Sequence, residues 1–136
     1  IALKPKAVVI LAGINDIAGN TGPSSLEMIQ DNLISMVQLA QANNIKVILS
    51  SILPANKFNW RPDVYPADQV IKMNIFIKKY AEENKCVYID YYTPMVDDKK
   101  GLKIEYSEDG VHPNKKGYAI MTPLVQEAIS KALKNN

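Results

Sequence analysis

The chain has 136 residues, of which 47% are hydrophobic and 22% are charged, as expected for one globular domain with its own core. Lys and Arg total 16 against 14 Asp and Glu, and this net charge of +2 without a basic stripe argues against a nucleic-acid partner. No apolar run approaches the roughly 20 residues that cross a bilayer, and the single cysteine excludes both an intrachain disulfide and a cysteine metal cluster.

An apolar strand and a polar turn open the chain. Residues 7–11 are rich in Val and Ile and almost continuously apolar, which is the pattern of a parallel strand covered on both faces. The turn at residues 13–16, Gly-Ile-Asn-Asp, places Asn15 beyond the end of this strand, where a neutral amide can donate a hydrogen bond to a developing oxyanion. Gly, Asn and Asp are also the residues that turns prefer, so the motif alone favours ordinary turn chemistry.

A helix and a second strand come next. Apolar residues at i, i+3 and i+4 predict a helix over residues 25–43. Ser24, with Glu27 three residues later, forms a capping-box pattern that we expect to set the start of this helix. Residues 45–50 repeat the Val- and Ile-rich pattern and predict the second strand.

The longest irregular stretch, residues 53–67, contains three prolines and the aromatic residues Phe58, Trp60 and Tyr65. A long loop after the carboxyl end of a strand is where parallel sheets bind ligands. The same stretch is equally well explained as a proline-stiffened surface loop whose aromatic side chains fold onto the core. Both interpretations stay open at this point.

The rest of the chain repeats the alternation of helix and strand. We predict a helix over residues 68–84, a strand over 86–90 and a helix from 114 to about 133, kinked or restarted at Pro123. Strands that alternate with helices form parallel sheets through right-handed crossovers. The fold class is therefore α/β, a three-layer α/β/α sandwich around a parallel sheet.

A second polar segment, residues 109–114, contains the one histidine of the chain. Asp109 precedes His112 by three residues, with Gly110 between them, so the carboxylate can fold back to accept the imidazole N–H and fix its tautomer. An exposed loop histidine beside an aspartate turn explains the same residues. Since loops that follow parallel strands share one edge of the sheet, the two polar segments together favour a common site.

No serine stands in a recognisable nucleophile turn. Ser50 and Ser51 end the second strand and Ser107 lies just ahead of the second polar segment, but none is part of a Gly-x-Ser-x-Gly elbow. Ser24 and Ser25 are assigned to helix capping. The residues therefore predict a general base, the carboxylate that orients it and an oxyanion donor, without a nucleophile.

The Gly-x-Asn-Asp turn at residues 13–16 and the Asp-x-x-His-Pro segment at residues 109–113, in this order, resemble two of the four marker blocks of the SGNH hydrolases, also called GDSL-like lipases and acylhydrolases. The resemblance implies a flavodoxin-like sheet and a serine esterase that uses neither metal nor cofactor. It also implies His112 as the general base, Asp109 as the acid that orients it and Asn15 as the oxyanion donor.

The other two blocks of that family, with the nucleophilic serine and the oxyanion glycine, have no counterpart here and lie upstream in family members. The resemblance therefore implies that residues 1–136 are a partial SGNH domain, truncated at the N-terminus to strands 3, 4 and 5 and their flanking helices, and inactive alone. The strand edge from Ala7 to Leu11 would then be unpaired and apolar. We expect a second copy of the chain or an upstream segment to cover it, because such edges recruit other chains.

The resemblance implies a small acyl ester as the substrate, with an acetyl ester favoured. We take Gly13, Asp16, Trp60 and Arg61 as candidates for contacts with this substrate. Aromatic residues in that loop would suit an O-acetylated carbohydrate, while a short-chain lipid stays open. The compartment is not indicated, and a secreted or periplasmic location stays open because any signal peptide would lie upstream of Ile1.

The alternative function is a non-catalytic, flavodoxin-like binding or interaction module in which both polar segments are only turns. The two hypotheses differ in geometry. An enzyme requires Asn15, Asp109 and His112 to converge on one cleft, with Asp109 within hydrogen-bond reach of His112, whereas a module leaves them dispersed.

Overall fold

A parallel sheet forms the centre of the fold in the computed structural model, which describes residues 2–134. Its strands are β1 (Ala7–Ile10), β2 (Lys46–Ser50) and β3 (Val87–Ile89), and within the described residues they pair in the order β1-β2-β3. All three predicted strands are present and slightly shorter than expected. Ile1 and residues 135–136 of the predicted domain lie outside the described residues.

The described residues form three long α-helices, two α-helices of a single turn and one 3-10 helix, Ile104–Tyr106; the α-helices are numbered in chain order. They are α1 (Ile14–Ile17), α2 (Leu26–Ala42), α3 (Ala67–Glu83), α4 (Tyr92–Met95) and α5 (Lys115–Lys134). The three long helices confirm the predicted periodic segments. The two four-residue turns were not predicted, because so short a segment shows no helical period.

The last helix was predicted to kink or restart at Pro123; it does not restart, because α5 continues through this residue, and a kink stays a prediction. Proline removes one backbone N–H from the helix, but the turns before and after it are both held on the sheet. Met121 is buried on one side of Pro123, and Ala128 and Ala132 are buried on the other. Packing of both halves therefore keeps the helix in one piece.

The residue that caps α2 also differs from the prediction. Ser25, not Ser24, occupies the N-cap position with extended backbone angles, and its Oγ accepts the backbone N–H of Met28 at 3.2 Å. Glu27 then lies one position too early to complete a capping box. Its pKa is nevertheless lowered, first by its own backbone N–H and second by the Ser25 hydroxyl.

Helices cover both faces of the sheet. α2 and α3 pack on the face to which Val47 and Leu49 of β2 point, and α5 packs on the opposite face against Ile48 and Ile89. Since successive strand residues point to opposite faces, β2 is buried on both. This arrangement is the three-layer α/β/α sandwich that the sequence predicted.

The edge of β1 carries apolar surface. Within residues 2–134 this strand pairs with β2 alone, so its other edge has no strand beside it. Val9 alternates with Ala7 and is 38% exposed, and Leu11, just past the end of the strand, is 44% exposed. Only Ala7, at the start of the strand, packs into the core beneath α5. What covers this edge stays a prediction.

The cap assignment can be tested by a pair of alanine variants. We expect Ser25→Ala to lower the free energy of unfolding by about 1 kcal/mol, because one N–H of the first turn loses its acceptor. The matched variant Ser24→Ala should change it by less than about 0.5 kcal/mol. Urea denaturation measures both, and an equal loss from the two variants would contradict the assignment.

Candidate active site

The turn after β1 places Asn15 at the carboxyl end of the sheet. Gly13 begins this turn with φ 113°, a conformation that residues with a side chain rarely adopt. A Cβ at this position would lie 3.0 Å from Cδ1 of Ile52, so the backbone also passes close to the core. The chain then turns directly into α1, which carries Asn15 and Asp16. Glycine is therefore required here by the backbone.

Asp109 and His112 form a hydrogen-bonded pair, with 2.7 Å between Oδ2 and Nδ1. The other oxygen, Oδ1, accepts the backbone N–H groups of His112 at 2.8 Å and Val111 at 2.9 Å. The backbone N–H of His112 and, second, its imidazole hold the pKa of Asp109 well below its usual range. Because an ionised carboxylate only accepts hydrogen bonds, Nδ1 must carry a proton, which leaves Nε2 as the proton acceptor.

Ser107 ties this turn together, a role that the sequence analysis missed. Its hydroxyl is buried, donates to the backbone carbonyl of His112 at 2.8 Å and accepts the N–H of Gly110 at 2.9 Å. A serine two residues before an aspartate and three before a glycine is a known turn pattern. That pattern is the signal from which this role could have been recognised.

The start of α5 fixes the position of the histidine turn. Oδ1 of Asn114 accepts the backbone N–H groups of Lys116 at 2.9 Å and Gly117 at 3.1 Å, which caps the helix. Gly117 allows the helix to approach closely, since a Cβ there would lie 2.7 Å from the carbonyl oxygen of Tyr106. The turn that carries His112 is therefore mounted on the end of a helix that packs on the sheet.

Asn15 and His112 both line one cavity of about 290 Å³. Most of its wall is apolar and comes from the loops after β1 and β2, and Trp60 and Asn20 also line it. Asp109 lies behind His112 and holds its ring. The structure thus brings Asn15, Asp109 and His112 together, as the enzyme hypothesis requires and the module hypothesis does not.

Three of the predicted substrate contacts do not line this cavity. Gly13 is buried, and Asp16 lies on α1 outside the cavity wall. Arg61 instead donates from Nη1 to the backbone carbonyl of Ala18 at 3.2 Å and pairs through Nε with Asp63 at 3.4 Å. Its guanidinium holds the loop against α1, and its role as a substrate contact stays a prediction.

Residues 53–67, here called the aromatic loop, combine both interpretations: one aromatic side chain folds onto the core and another lines the cavity. Phe58 is buried in the core, whereas Trp60 is 45% exposed and faces the cavity. The indole lies between two rings, with centroids 5.1 Å from Phe58 and 6.5 Å from His112, the latter in a stacked arrangement. Tyr65 is exposed and takes no part in the cavity wall.

None of the serines that we considered as nucleophiles lines the cavity. Ser50, Ser51 and Ser107 are all buried. Ser50 donates to the backbone carbonyl of Ile10 at 3.3 Å, and Ser51 accepts the N–H groups of Tyr91 and Tyr92 at 2.9 Å each. Their hydroxyls therefore serve the fold.

Within residues 2–134, no three His, Cys, Asp or Glu side chains are grouped so that they could hold a metal ion. Over the same residues, every helix is too short or too polar to cross a bilayer.

The profile of the GDSL-like Lipase/Acylhydrolase family matches residues 1–120. A candidate acylhydrolase from Bacteroides fragilis and a GDSL-like lipase from Bacteroides thetaiotaomicron are each 46% identical to the chain, with TM-scores of 0.94 and 0.92. Each match covers 96% of this chain and 64% of the other protein, so the chain spans less than two thirds of the length of these relatives.

A more distant likeness extends the comparison of folds. A catalytic mutant of an acetylxylan esterase from Geobacillus stearothermophilus is 21% identical, with a TM-score of 0.72 over 94% of this chain and 61% of that protein. At this identity the likeness shows the fold alone. The comparison with curated proteins found no match.

The charge of Asp109 predicts a pH-dependent contribution to stability. Since folding lowers the pKa of this carboxyl, its stabilising effect is present above the unfolded pKa of about 3.9 and is lost as the pH falls towards the folded pKa. We expect Asp109→Asn to lower the free energy of unfolding by about 1 kcal/mol at neutral pH, a modest value because the side chain is 41% exposed.

The difference between wild type and Asp109→Asn should shrink when urea denaturation is repeated below about pH 3. A difference of the same size at neutral and acidic pH would show that the carboxylate charge does not stabilise this turn.

Proposed function

The chain belongs to the GDSL-like lipase/acylhydrolase family, and from this premise we propose that it forms the larger part of a serine esterase domain that hydrolyses small acyl esters. The observation that carries the proposal is the 2.7 Å contact between Asp109 and His112, beside a cavity that Asn15 also lines. In the proposed enzyme these three residues are the orienting acid, the general base and the oxyanion donor.

The proposed reaction begins with attack of a serine hydroxyl on the ester carbonyl. Nε2 of His112 takes the serine proton as the bond to the carbonyl carbon forms, and Asp109 stabilises the resulting imidazolium. The carbonyl oxygen becomes an oxyanion and accepts a hydrogen bond from Nδ2 of Asn15, an interaction worth about 3 kcal/mol in the transition state. His112 then protonates the leaving alcohol as the tetrahedral intermediate collapses to the acyl-enzyme.

The second half of the reaction uses the same residues in reverse. A water molecule attacks the acyl-enzyme while His112 takes its proton, and Asn15 again stabilises the oxyanion. His112 returns the proton to the serine oxygen as the carboxylic acid leaves. One water is consumed for each ester cleaved, and the serine and the histidine return to their starting states.

We further propose that the nucleophile comes from outside these 136 residues. The chain spans 64% of the two Bacteroides relatives, and Ser50, Ser51 and Ser107 are buried away from the cavity. On this proposal the chain is a partial domain that holds strands 3 to 5 of the family sheet. An upstream segment would supply the serine and pair with β1 over the exposed Val9, with a second copy of the chain as the alternative cover for that edge.

The cavity wall that this chain supplies favours an uncharged ester, because most of it is apolar. The exposed face of Trp60 offers a surface against which a sugar ring can pack. We therefore propose acetyl esters, including those of carbohydrates, as the substrate class.

Ester hydrolysis by the full-length protein, meaning the natural protein that carries this sequence, tests the proposal. We expect it to release p-nitrophenol from p-nitrophenyl acetate, and His112→Ala to lower kcat by at least about 10³-fold, because the general base is lost. The exposed α3 variant Ile75→Ala serves as the control and should retain activity.

The isolated 136-residue chain should show no turnover above buffer, since without the nucleophile only binding and oxyanion stabilisation remain. Turnover by that chain that disappears in His112→Ala would contradict the proposed source of the serine. An inactive full-length protein would contradict the function itself.

A further inference from the structure

We propose that Trp60 and Asn20 are positioning residues that orient the side-chain amide of Asn15. Two hydrogen bonds link the three side chains. Nε1 of Trp60 donates to Oδ1 of Asn20 at 3.2 Å, and Nδ2 of Asn20 donates to Oδ1 of Asn15 at 2.9 Å. The inference deepens the proposed esterase function and rests on it, since it assigns these side chains a task in oxyanion stabilisation.

These two hydrogen bonds form a relay from Trp60 through Asn20 to Asn15, and its direction is fixed by the indole of Trp60. An indole N–H is a donor and never an acceptor, so the amide atom of Asn20 that faces it must be the oxygen. The nitrogen of Asn20 is then the atom that faces Asn15, and it can only meet an oxygen there. Each side chain thus sets the orientation of the next, and Asn20 determines that the oxygen of the Asn15 amide is the end that it binds.

The consequence for Asn15 is that its amide nitrogen is left to serve the site. An isolated asparagine can rotate its amide by half a turn at little cost, and the carbonyl oxygen would then repel an oxyanion instead of binding it. With Oδ1 held by Asn20, Nδ2 remains as the group that Asn15 can offer to the cavity it shares with His112. The donor is thereby oriented before substrate arrives, which is the basis of electrostatic preorganisation.

Other contacts hold the relay in place. Nη1 of Arg61, next to Trp60 in the loop, donates to the carbonyl of Ala18 at the end of α1. The backbone N–H of Asn20 donates to the carbonyl of Asn15 at 3.0 Å, which closes the turn on which both amides stand. The side chains of Trp60 and Arg61 therefore attach the aromatic loop to the turn that carries Asn15. Phe58 packs against the indole of Trp60 from the core side.

The relay can be tested by kinetics in the full-length protein. Trp60→Phe keeps an aromatic ring beside His112 but removes the N–H, and Asn20→Ala removes the link itself. We expect each to lower kcat about 10-fold with KM nearly unchanged, as part of the 10²–10³-fold loss that removal of an oxyanion donor causes. The exposed α2 variant Asn32→Ala is the matched control and should leave kcat unchanged.

A double-mutant comparison separates positioning from general destabilisation. Because Asn20 and Trp60 act through Asn15, neither variant should lower kcat further when Asn15→Ala is already present. Losses that multiply in the double variants, or a Trp60→Phe variant with the kcat of wild type, would overturn the proposal.

A nuclear magnetic resonance measurement keeps the relay testable if the protein proves not to be an esterase. Trp60 is the one tryptophan of these 136 residues, and in the full-length protein its indole N–H signal is identified as the one that disappears in Trp60→Phe. Asn20→Ala should shift this signal, and Trp60→Phe should shift the side-chain amide signals of Asn15, while Asn32→Ala should shift neither. Asn15 signals that stay in place in Trp60→Phe would overturn the relay whatever the activity, and inactivity with the shifts present would count against the esterase function alone.

Discussion

The carboxylate of Asp109 is the group on which the arrangement of the site depends. One of its oxygens accepts two backbone N–H groups of its own turn, and the other accepts the imidazole of His112. The same hydrogen bonds that close the turn therefore keep the carboxylate ionised and fix the tautomer of the histidine. Ser107 braces this turn from its buried side. In the proposed enzyme this one side chain meets both a local folding requirement and a catalytic requirement.

In the proposed enzyme the oxyanion donor, Asn15, is held by different means. Asn15 stands on a short turn after β1 and has no helix of useful length behind it, so its amide depends on neighbouring side chains for orientation. In our proposal Trp60 provides that orientation through Asn20 while its ring stacks beside His112. The aromatic loop would then couple the two halves of the site, and Arg61 would act by fastening that loop to α1.

The fold could be predicted from the sequence because its strands are short, almost continuously apolar runs, its long helices show a clear period, and strand–helix alternation allows few topologies. The hydrogen-bonded pair of Asp109 and His112 could be predicted, because the two residues are only three positions apart in the sequence. The predicted N-cap of α2 was one residue too early, because Ser24 and Ser25 are both of a residue type that caps helices. Pro123 did not break α5, because packing of the helix on both sides of it outweighed the local effect of proline. The contacts of Trp60 with Asn20 and of Arg61 with Ala18 could not be predicted, because these partners lie 40 and 43 residues apart along the chain and only the folded loop brings them together.

Covalent labelling tests most directly the claim that this chain supplies the base of an esterase whose nucleophile lies elsewhere. A fluorophosphonate, which phosphonylates the activated serine of such enzymes, would be added to the full-length protein, and the modified residue would be identified by tandem mass spectrometry. The account predicts one adduct, on a serine outside these 136 residues, that forms much more slowly in His112→Ala. An adduct on Ser50, Ser51 or Ser107, or labelling that does not depend on His112, would contradict it.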